Sequence, residues 1–283
     1  MGKKAEDRRG VPDLFGSVEK DSVPVDPQQV FFEYSSERKA QTLDGFRLDA
    51  LPHLSRYTAV DQQMDGFVAF TNLPLGEEQY YIREQVAYFA GLGQSFEWKV
   101  YDFDQPSDLR SRLQEEGFTA EPTEAFMVFD LHHGHVVSPC TLPNVRVVRV
   151  NSEPAICHIV SVQQEVWGRE FTWLKSELIR TLRDRPEEIS IYCAYLDDHP
   201  IGTGWTRFLP QSQFADLHGG AVVREFRGSG VYSGLFQRRY EEARQRGYRY
   251  LAVDAAPMSR PILERKGFNF VCHTYPMRSA PRS

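Results

Sequence analysis

The chain has no apolar run of the roughly eighteen residues that a membrane-crossing helix needs. It also lacks a basic excess. Lys and Arg total 33 against 39 Asp and Glu, a net charge of −6 with a pI near 5.8. That balance leaves no footprint for nucleic acid or an anionic membrane. Cysteine is scarce and scattered: Cys140, Cys157, Cys193 and Cys272 form neither a metal-ligand spacing nor a disulfide framework. Cys157 and Cys193 sit among apolar neighbours and are expected as buried small residues. The N-terminal stretch MGKKAEDRRGVPDLF has no signal-peptide apolar core, and Glu6 stands where a myristoylation signal wants Ser or Thr. The expectation is a soluble protein of a reducing, cytoplasmic compartment, without nucleic-acid or membrane partners.

What is present suits a sizeable fold. With 283 residues, 41% of them hydrophobic, the chain has room for two compact domains or one large one. Residues 1–30 are polar, charged and proline-spotted and read as a loose leader. From Phe31 the pattern is structured, with strands at 66–74 and FEWKVYDF, a helix at 77–93, a proline-led helix in PSDLRSRLQEEG and a strand in EAFMVFDL. HHGHVVSPCTLPN, residues 132–144, collects turn formers and reads as a linker. The second half, 145–283, opens with the strand VRVVRV, followed by helices at Glu153–Trp167 and Trp173–Arg183. ISIYCAYL and IGTGWTRF form a hairpin across a four-residue DDHP turn. FADLHGGAVV, a helix at 231–246, YRYLAVDAA, PMSRPILERKG and FNFVCHTYPM complete the chain. Strands alternating with helices give a mixed α/β sheet.

The halves, 31–131 and 145–283, echo each other. WKVYDFDQPSDLRSRLQEEGF and YLAVDAAPMSRPILERKGF both pass from strand to Asp, through a proline-led helix, to Leu-x-x-x-Gly-Phe (Leu113 to Phe118, Leu263 to Phe268). The shared order of elements points to a duplication.

The most informative stretch is REFRGSGVYSGLFQRRYEEARQRG, residues 224–247. Gly228 and Gly230 stand at the mouth of a helix, where free N–H groups and the helix dipole favour an anion. Glycine lets the backbone turn sharply and lets a phosphate come close. Ser229 and Ser233 add hydroxyl donors. Arg227 adds charge, either for a phosphate or for the local fold. The P-loop's Gly-Lys-Ser/Thr is missing, and Ser233 stands where a dinucleotide fingerprint needs its third glycine. The loop is a pyrophosphate cradle of another kind.

VVREFRGSGVYSGLF resembles the acyl-CoA loop of the GCN5-related N-acetyltransferases (GNAT), Arg/Gln-x-x-Gly-x-Gly/Ala. Arg227 and Gly230 match; Tyr232, where a small residue is usual, departs. The order of elements over about 145–283 is similar to the family's as well. The resemblance implies two GNAT-like domains, each a mixed, mostly antiparallel sheet flanked by helices, with the active site in the second. Acetyl-CoA would be the co-substrate and an amine, best read as a small molecule, the acceptor; no metal is implied. Val222 and Val223 would offer backbone groups to the pantetheine arm. The N–H groups from Gly228 through Ser229, Gly230, Val231 and Tyr232 to Ser233 would hold the pyrophosphate. A backbone N–H at the splayed end of strand 214–223 would face the thioester carbonyl.

Counting back from Gly267-Phe268 puts Leu263 where many relatives have a Tyr acid and Ala256 where they have an Asn. Ser259 and Tyr232 are the substitutes. Asp216 and His218 alternate onto one strand face as base candidates, the plain alternatives being a solvent-facing acid and a satisfied histidine. Glu225 reads as a loop-positioning residue. His132, His133 and His135, with Cys140 nearby, have metal-like composition but linker context. Trp167, Phe171 and Trp173 are read as core or as part of the acceptor pocket. In the first half TNLPLGEEQYY keeps one glycine, Gly76, followed by Glu77 and Glu78, acids that suit an empty helix dipole and repel a phosphate. That half is expected to have lost its cofactor loop, giving one acetyl-CoA per chain. The missing Tyr and Asn keep open a catalytically silent acyl-CoA-binding or regulatory module, and a protein amine is a further candidate acceptor.

Overall fold

The computed structural model describes residues 25–62, 64–133 and 142–279. His135, Cys140 and nearly all of the expected leader lie outside them. The first described helix, α1 (Pro27–Arg38), starts inside the stretch read as leader, because Asp26 accepts hydrogen bonds from the N–H groups of Gln28 and Gln29 and Pro27 fits the first turn. β1 (Phe46–Ala50), β2 (Leu54–Ala59) and β3 (Gly66–Thr71) follow, then α2 (Glu78–Gly91), β4 (Phe96–Tyr101), α3 (Leu109–Glu115), β5 (Thr119–Ala120) and β6 (Glu124–Asp130). The second half runs β7 (Val145–Val150), α4 (Glu153–Trp167), α5 (Thr172–Asp184), β8 (Ile189–Leu196), β9 (His199–Phe208), β10 (Phe214–Val222), α6 (Val231–Gln245), β11 (Tyr250–Ala255), α7 (Arg260–Arg265) and β12 (Asn269–Arg278).

All the strands join one mixed, mostly antiparallel sheet, in the order β1-β2-β3-β4-β12-β6-β11-β10-β9-β8-β7, with β5 beside β12. Each half has one parallel pair that stays in register for three residues: β3 with β4 at Gly66–Val68, and β10 with β11 at Phe214–Asp216. Each half then takes the other's last strand: β12 pairs antiparallel with β4, and β6 with β11. β12 and β6 pair with each other at the seam. The Leu-x-x-x-Gly-Phe stops share one backbone geometry. Gly117 and Gly267 have φ of 87° and 90°, and Phe118 N–H and Phe268 N–H close on Leu113 and Leu263 carbonyls at 3.0 and 3.1 Å.

Alternation along the strands sorts the core. On one face, α1 covers Phe126, Val128, Phe214, Tyr250 and Ala252, while α4 and α5 cover Ile189, Ile191 and Cys193. On the other, α6 and α7 place Phe236, Tyr240 and Leu263 against Met127, Phe129, Ala215 and Leu217, and α2 and α3 cover Trp98 and Val100. Each such buried aromatic or aliphatic side chain contributes about 1.5–3 kcal/mol from desolvation.

Two sequence expectations change. The β8–β9 turn has two residues, Asp197 and Asp198, with Asp197 at φ 52°; His199 and Pro200 are drawn into β9 by pairing with Leu196 and Tyr195. Cys157 is exposed rather than buried, because α4 turns Ile156 and Ile159 inward and leaves 157 on its outer side, next to Lys175. Cys193 and Cys272 are buried.

Candidate active site

After Asp216, β10 and β11 part. β10 stays with β9 through a bulge between His218 and Ala221, while β11 stays with β6 to Ala255. Gly219 makes the bulge. Its φ of 56° suits glycine, and any Cβ there would sit inside the Trp205 ring. α4 and β9 lock it: Gln163 Nε2 and Thr203 Oγ1 donate to the Gly219 carbonyl at 2.7 and 3.0 Å, and Trp167 Nε1 donates to Gln163 Oε1 at 3.0 Å. The divergence leaves a stretch of β10, residues 217–221, with no strand on its β11 side among the described residues.

The loop from β10 into α6 has the features an anion needs. Gly228 and Gly230 have φ of 79° and 84°, and Gly230 caps α6 without a side-chain hydrogen bond. The first turn of the helix closes from Gly234 N–H to the Gly230 carbonyl at 3.0 Å, so the amides of Val231 to Ser233 face out of its start. Ser229 Oγ donates to the Phe226 carbonyl at 2.6 Å. Ser233 Oγ accepts from Lys266 Nζ at 2.7 Å, which puts a cation beside the amides. Burial first, then Arg239 and Arg265, bring the Lys266 ammonium down to about 8. The Tyr232 ring turns back toward Gly220 on the bulge and is hydrogen-bonded to Arg239, so it leaves the helix mouth clear. Arg239 is buried, with Nε donating to the Leu235 carbonyl at 3.2 Å. These residues fit a pyrophosphate.

Val222 and Val223 are less available. The Val222 carbonyl accepts Arg227 Nε at 3.2 Å, Val223 N–H donates to Ile201, and the Val223 carbonyl accepts from Phe226 N–H. The side-chain partner of Arg227 shown here is thus the local backbone.

Asp216 and His218 do share a face of β10, the one under α1 and α4. Asp216 lies cross-strand from Arg207, whose guanidinium is engaged by Glu177. Burial, then Asp254 and Glu37, raise Asp216 to about 7 against the pull of Arg207 and Arg38. His218 is exposed, with its ring 6.4 Å from Trp205 and nearly parallel to it. Surrounding protein, and then Arg207, hold its pKa below the ordinary histidine value, so it is neutral at physiological pH. Ser259 lies elsewhere, as the residue before α7 and past the end of β11, and caps nothing with its side chain. Leu263 is buried against Phe129 and Phe236. Trp167 and Trp173 are 48% and 41% exposed and Phe171 is buried, so only Phe171 is a core residue.

Three residues that sequence reasoning missed meet Asp216 and His218 here. Asp254 on β11 faces the same side. Lys99 on β4 reaches it at 2.7 Å, and Tyr34 of α1 stacks on Phe126 and packs edge-on against Phe214. The signal for Asp254 is its even spacing from Tyr250 and Ala252 in YLAVDAA. Lys99 and Tyr34 arrive by long-range pairing. His132 and His133 are exposed, and among the described residues no group of His, Cys, Asp or Glu is arranged to hold a metal. Nor is any described helix long and apolar enough to cross a membrane.

Residues 154–268 match the model of the family described as the acetyltransferase (GNAT) family. No curated protein matches the chain. Among solved structures, a GCN5-related N-acetyltransferase from Kribbella flavida superposes with a TM-score of 0.67 at 11% identity, over 91% of this chain and 96% of that one. One from Sphaerobacter thermophilus gives 0.59 at 15%, over 81% and 77%. A tandem GNAT protein from the clavulanic acid biosynthesis pathway gives 0.57 at 12%, over 93% and 91%. At these identities the likeness is one of fold.

Proposed function

Because residues 154–268 match the model of the acetyltransferase (GNAT) family, we propose that the chain transfers an acetyl group from acetyl-CoA to an amine, best read as that of a small molecule. The observation that carries the reading is the pairing of a bare, glycine-capped helix start at Gly230 with a splay of β10 from β11 that begins beside Asp216. The amides of Gly228 to Ser233 would hold the pyrophosphate, with Lys266 adding charge. The arm would run toward the open stretch of β10. Acetyl-CoA supplies the activated acyl group.

Asp216 is the base in this reading. A carboxyl near pH 7 is matched to taking a proton from an ammonium acceptor as it becomes a nucleophile. His218, neutral and beside Trp205, orients or hydrogen-bonds the acceptor. The exposed Trp167 and Trp173 frame the acceptor side from α4 and α5. Ser259 has no role in it.

Leu263 is buried in the core at the place of the usual acid. That observation favours one second reading, a module that binds acyl-CoA and turns nothing over. Release of free CoA thiol across a panel of small amines and amine-bearing peptides separates the two. Turnover with a small amine supports the proposal. Binding without release supports the silent module.

A further inference from the structure

The strand exchange brings residues of the first half into the second half's cleft. Lys99 sits on β4 opposite Pro276 of β12; Thr274 of β12 is opposite Glu124 of β6; Phe126 of β6 is opposite Asp254 of β11. Across that surface Lys99 Nζ reaches Asp254 Oδ2 at 2.7 Å and Glu124 Oε2 at 3.2 Å. Tyr101, also on β4, donates its hydroxyl to Asp254 Oδ2 at 3.4 Å. The Asp254 Oδ1 atom is buried and has no hydrogen-bond partner in the structure. Asp254 therefore takes its counter-charge and its side-chain hydrogen bonds on one oxygen, from the first half.

We infer that Lys99 is a positioning residue of the acetyl-transfer site, ion-paired with Asp254 beside Asp216 and so setting the charge against which Asp216 takes up the acceptor's proton. The inference rests on the acetyl-transfer reading only for the identity of that proton. In the step itself an N–H bond of the acceptor ammonium breaks, an O–H bond forms on the Asp216 carboxylate, and the nitrogen keeps the electron pair.

Lys99 is suited to the task. Burial works against its charge, but Asp254, Glu124 and Glu97 outweigh that and hold its pKa above the ordinary lysine value. The groups that face Asp216 are Tyr34, Glu37 and Arg38 from α1, Arg207 from β9, His218 from its own strand, Tyr248 ahead of β11, and Asp254. Arg207 is committed to Glu177, and Arg38 lies over the Tyr101 ring at 4.1 Å. Asp216 lies opposite Ala252, and Asp254 is two residues further along the same face of β11; it is the acid that acts most strongly on Asp216, and Lys99 is its ion-pair partner.

The test is a direct titration of Asp216 in the full chain by carboxyl carbon NMR, assigned with Asp216→Asn, and run on Lys99→Met, Lys99→Arg, Asp254→Asn and the double variant Lys99→Met/Asp254→Asn. Losing Lys99 alone leaves Asp254 uncompensated and should move the Asp216 midpoint up by about one pH unit. Lys99→Arg should restore it. Asp254→Asn should move it down, and the double variant, which removes both members of the Lys99–Asp254 pair together, should coincide with Asp254→Asn. A double variant well above Asp254→Asn, or a folded Lys99→Met with an unmoved midpoint, overturns the inference. These midpoints need no turnover, so a chain that proves catalytically silent fails the function without deciding this point. If the chain is active, the acid limb of kcat should follow the midpoints while the KM for acetyl-CoA stays put.

Discussion

Glu78 turns back on the start of its own helix, and its Oε2 accepts the Gly76 N–H at 3.0 Å. Gly76, with φ 88°, is the first half's counterpart of the cradle glycines. The carboxylate occupies the amide-lined place where the second half would hold a phosphate, and Arg112 approaches it at 3.8 Å. One half is closed by its own acid. The other has a glycine cap and a nearby lysine.

A stability prediction follows from Glu78. Backbone hydrogen bonds at Glu78 and Gly76 hold its pKa below the ordinary glutamate value. An acid depressed in the folded state stabilises the fold above its unfolded pKa, and that contribution is lost as pH falls through the folded value. Glu78→Gln should therefore melt below the parent at neutral pH, and the two melting curves should converge in acid. A gap that stays constant with pH would show that the carboxylate does not cap the helix.

Asp216 should govern the pH profile. As a base with a pKa of about 7 it is ionised above that value, so kcat should rise with pH through about 7. His218 is already neutral there and adds no limb. Asp216→Asn should cost roughly a hundredfold or more in kcat, within the usual range for a general base, and leave acetyl-CoA affinity unchanged. A variant with a parental rate and profile would place the base elsewhere.

Lys266 should make coenzyme affinity pH-dependent in the opposite sense. Its ammonium is charged below about 8 and donates to Ser233 in the cradle. Acetyl-CoA should bind more weakly as pH rises through 8, on the order of fivefold for one partly screened charge. Lys266→Met should bind weakly at both ends and show no such step in calorimetry. A step that persists in the variant belongs to another group.

The bulge is testable through Gly219. Gly219→Ala meets both the left-handed backbone, which costs about 1–2 kcal/mol, and the Trp205 ring. Urea unfolding should show a loss larger than the backbone term alone. Turnover should fall, because the open stretch of β10 and its anchor to Gln163 are displaced together. A loss under 1 kcal/mol would mean that the bulge relaxes freely.

Much of this was legible in the residues because it is local. The helix Glu153–Trp167 is found at the bounds its periodicity suggests, and the cradle glycines follow from the short-range chemistry of a helix start. The exchange of β6 and β12 was not legible, since which strand pairs with which is decided by the whole sheet. Lys99 and Tyr34 were missed for that reason: each looks like an ordinary polar residue until the seam brings it to Asp254 or Asp216. The four-residue DDHP turn expected from the sequence is two residues too long because proline usually ends a strand, while Pro200 here sits where β8 is bulged. Exposed Cys157 shows the limit of judging burial from neighbours alone, since on a helix adjacent residues face different ways.

The central claim is that one coenzyme binds per chain, in the second half's cradle. Calorimetric titration with acetyl-CoA of the parent, Gly230→Glu and Glu78→Gln tests it most directly. One site is expected in the parent and none in folded Gly230→Glu, where a carboxylate meets the phosphates. One site is expected again in Glu78→Gln, because the first half has a single cradle glycine. Two equivalent sites in the parent, or undiminished binding in Gly230→Glu, would contradict it.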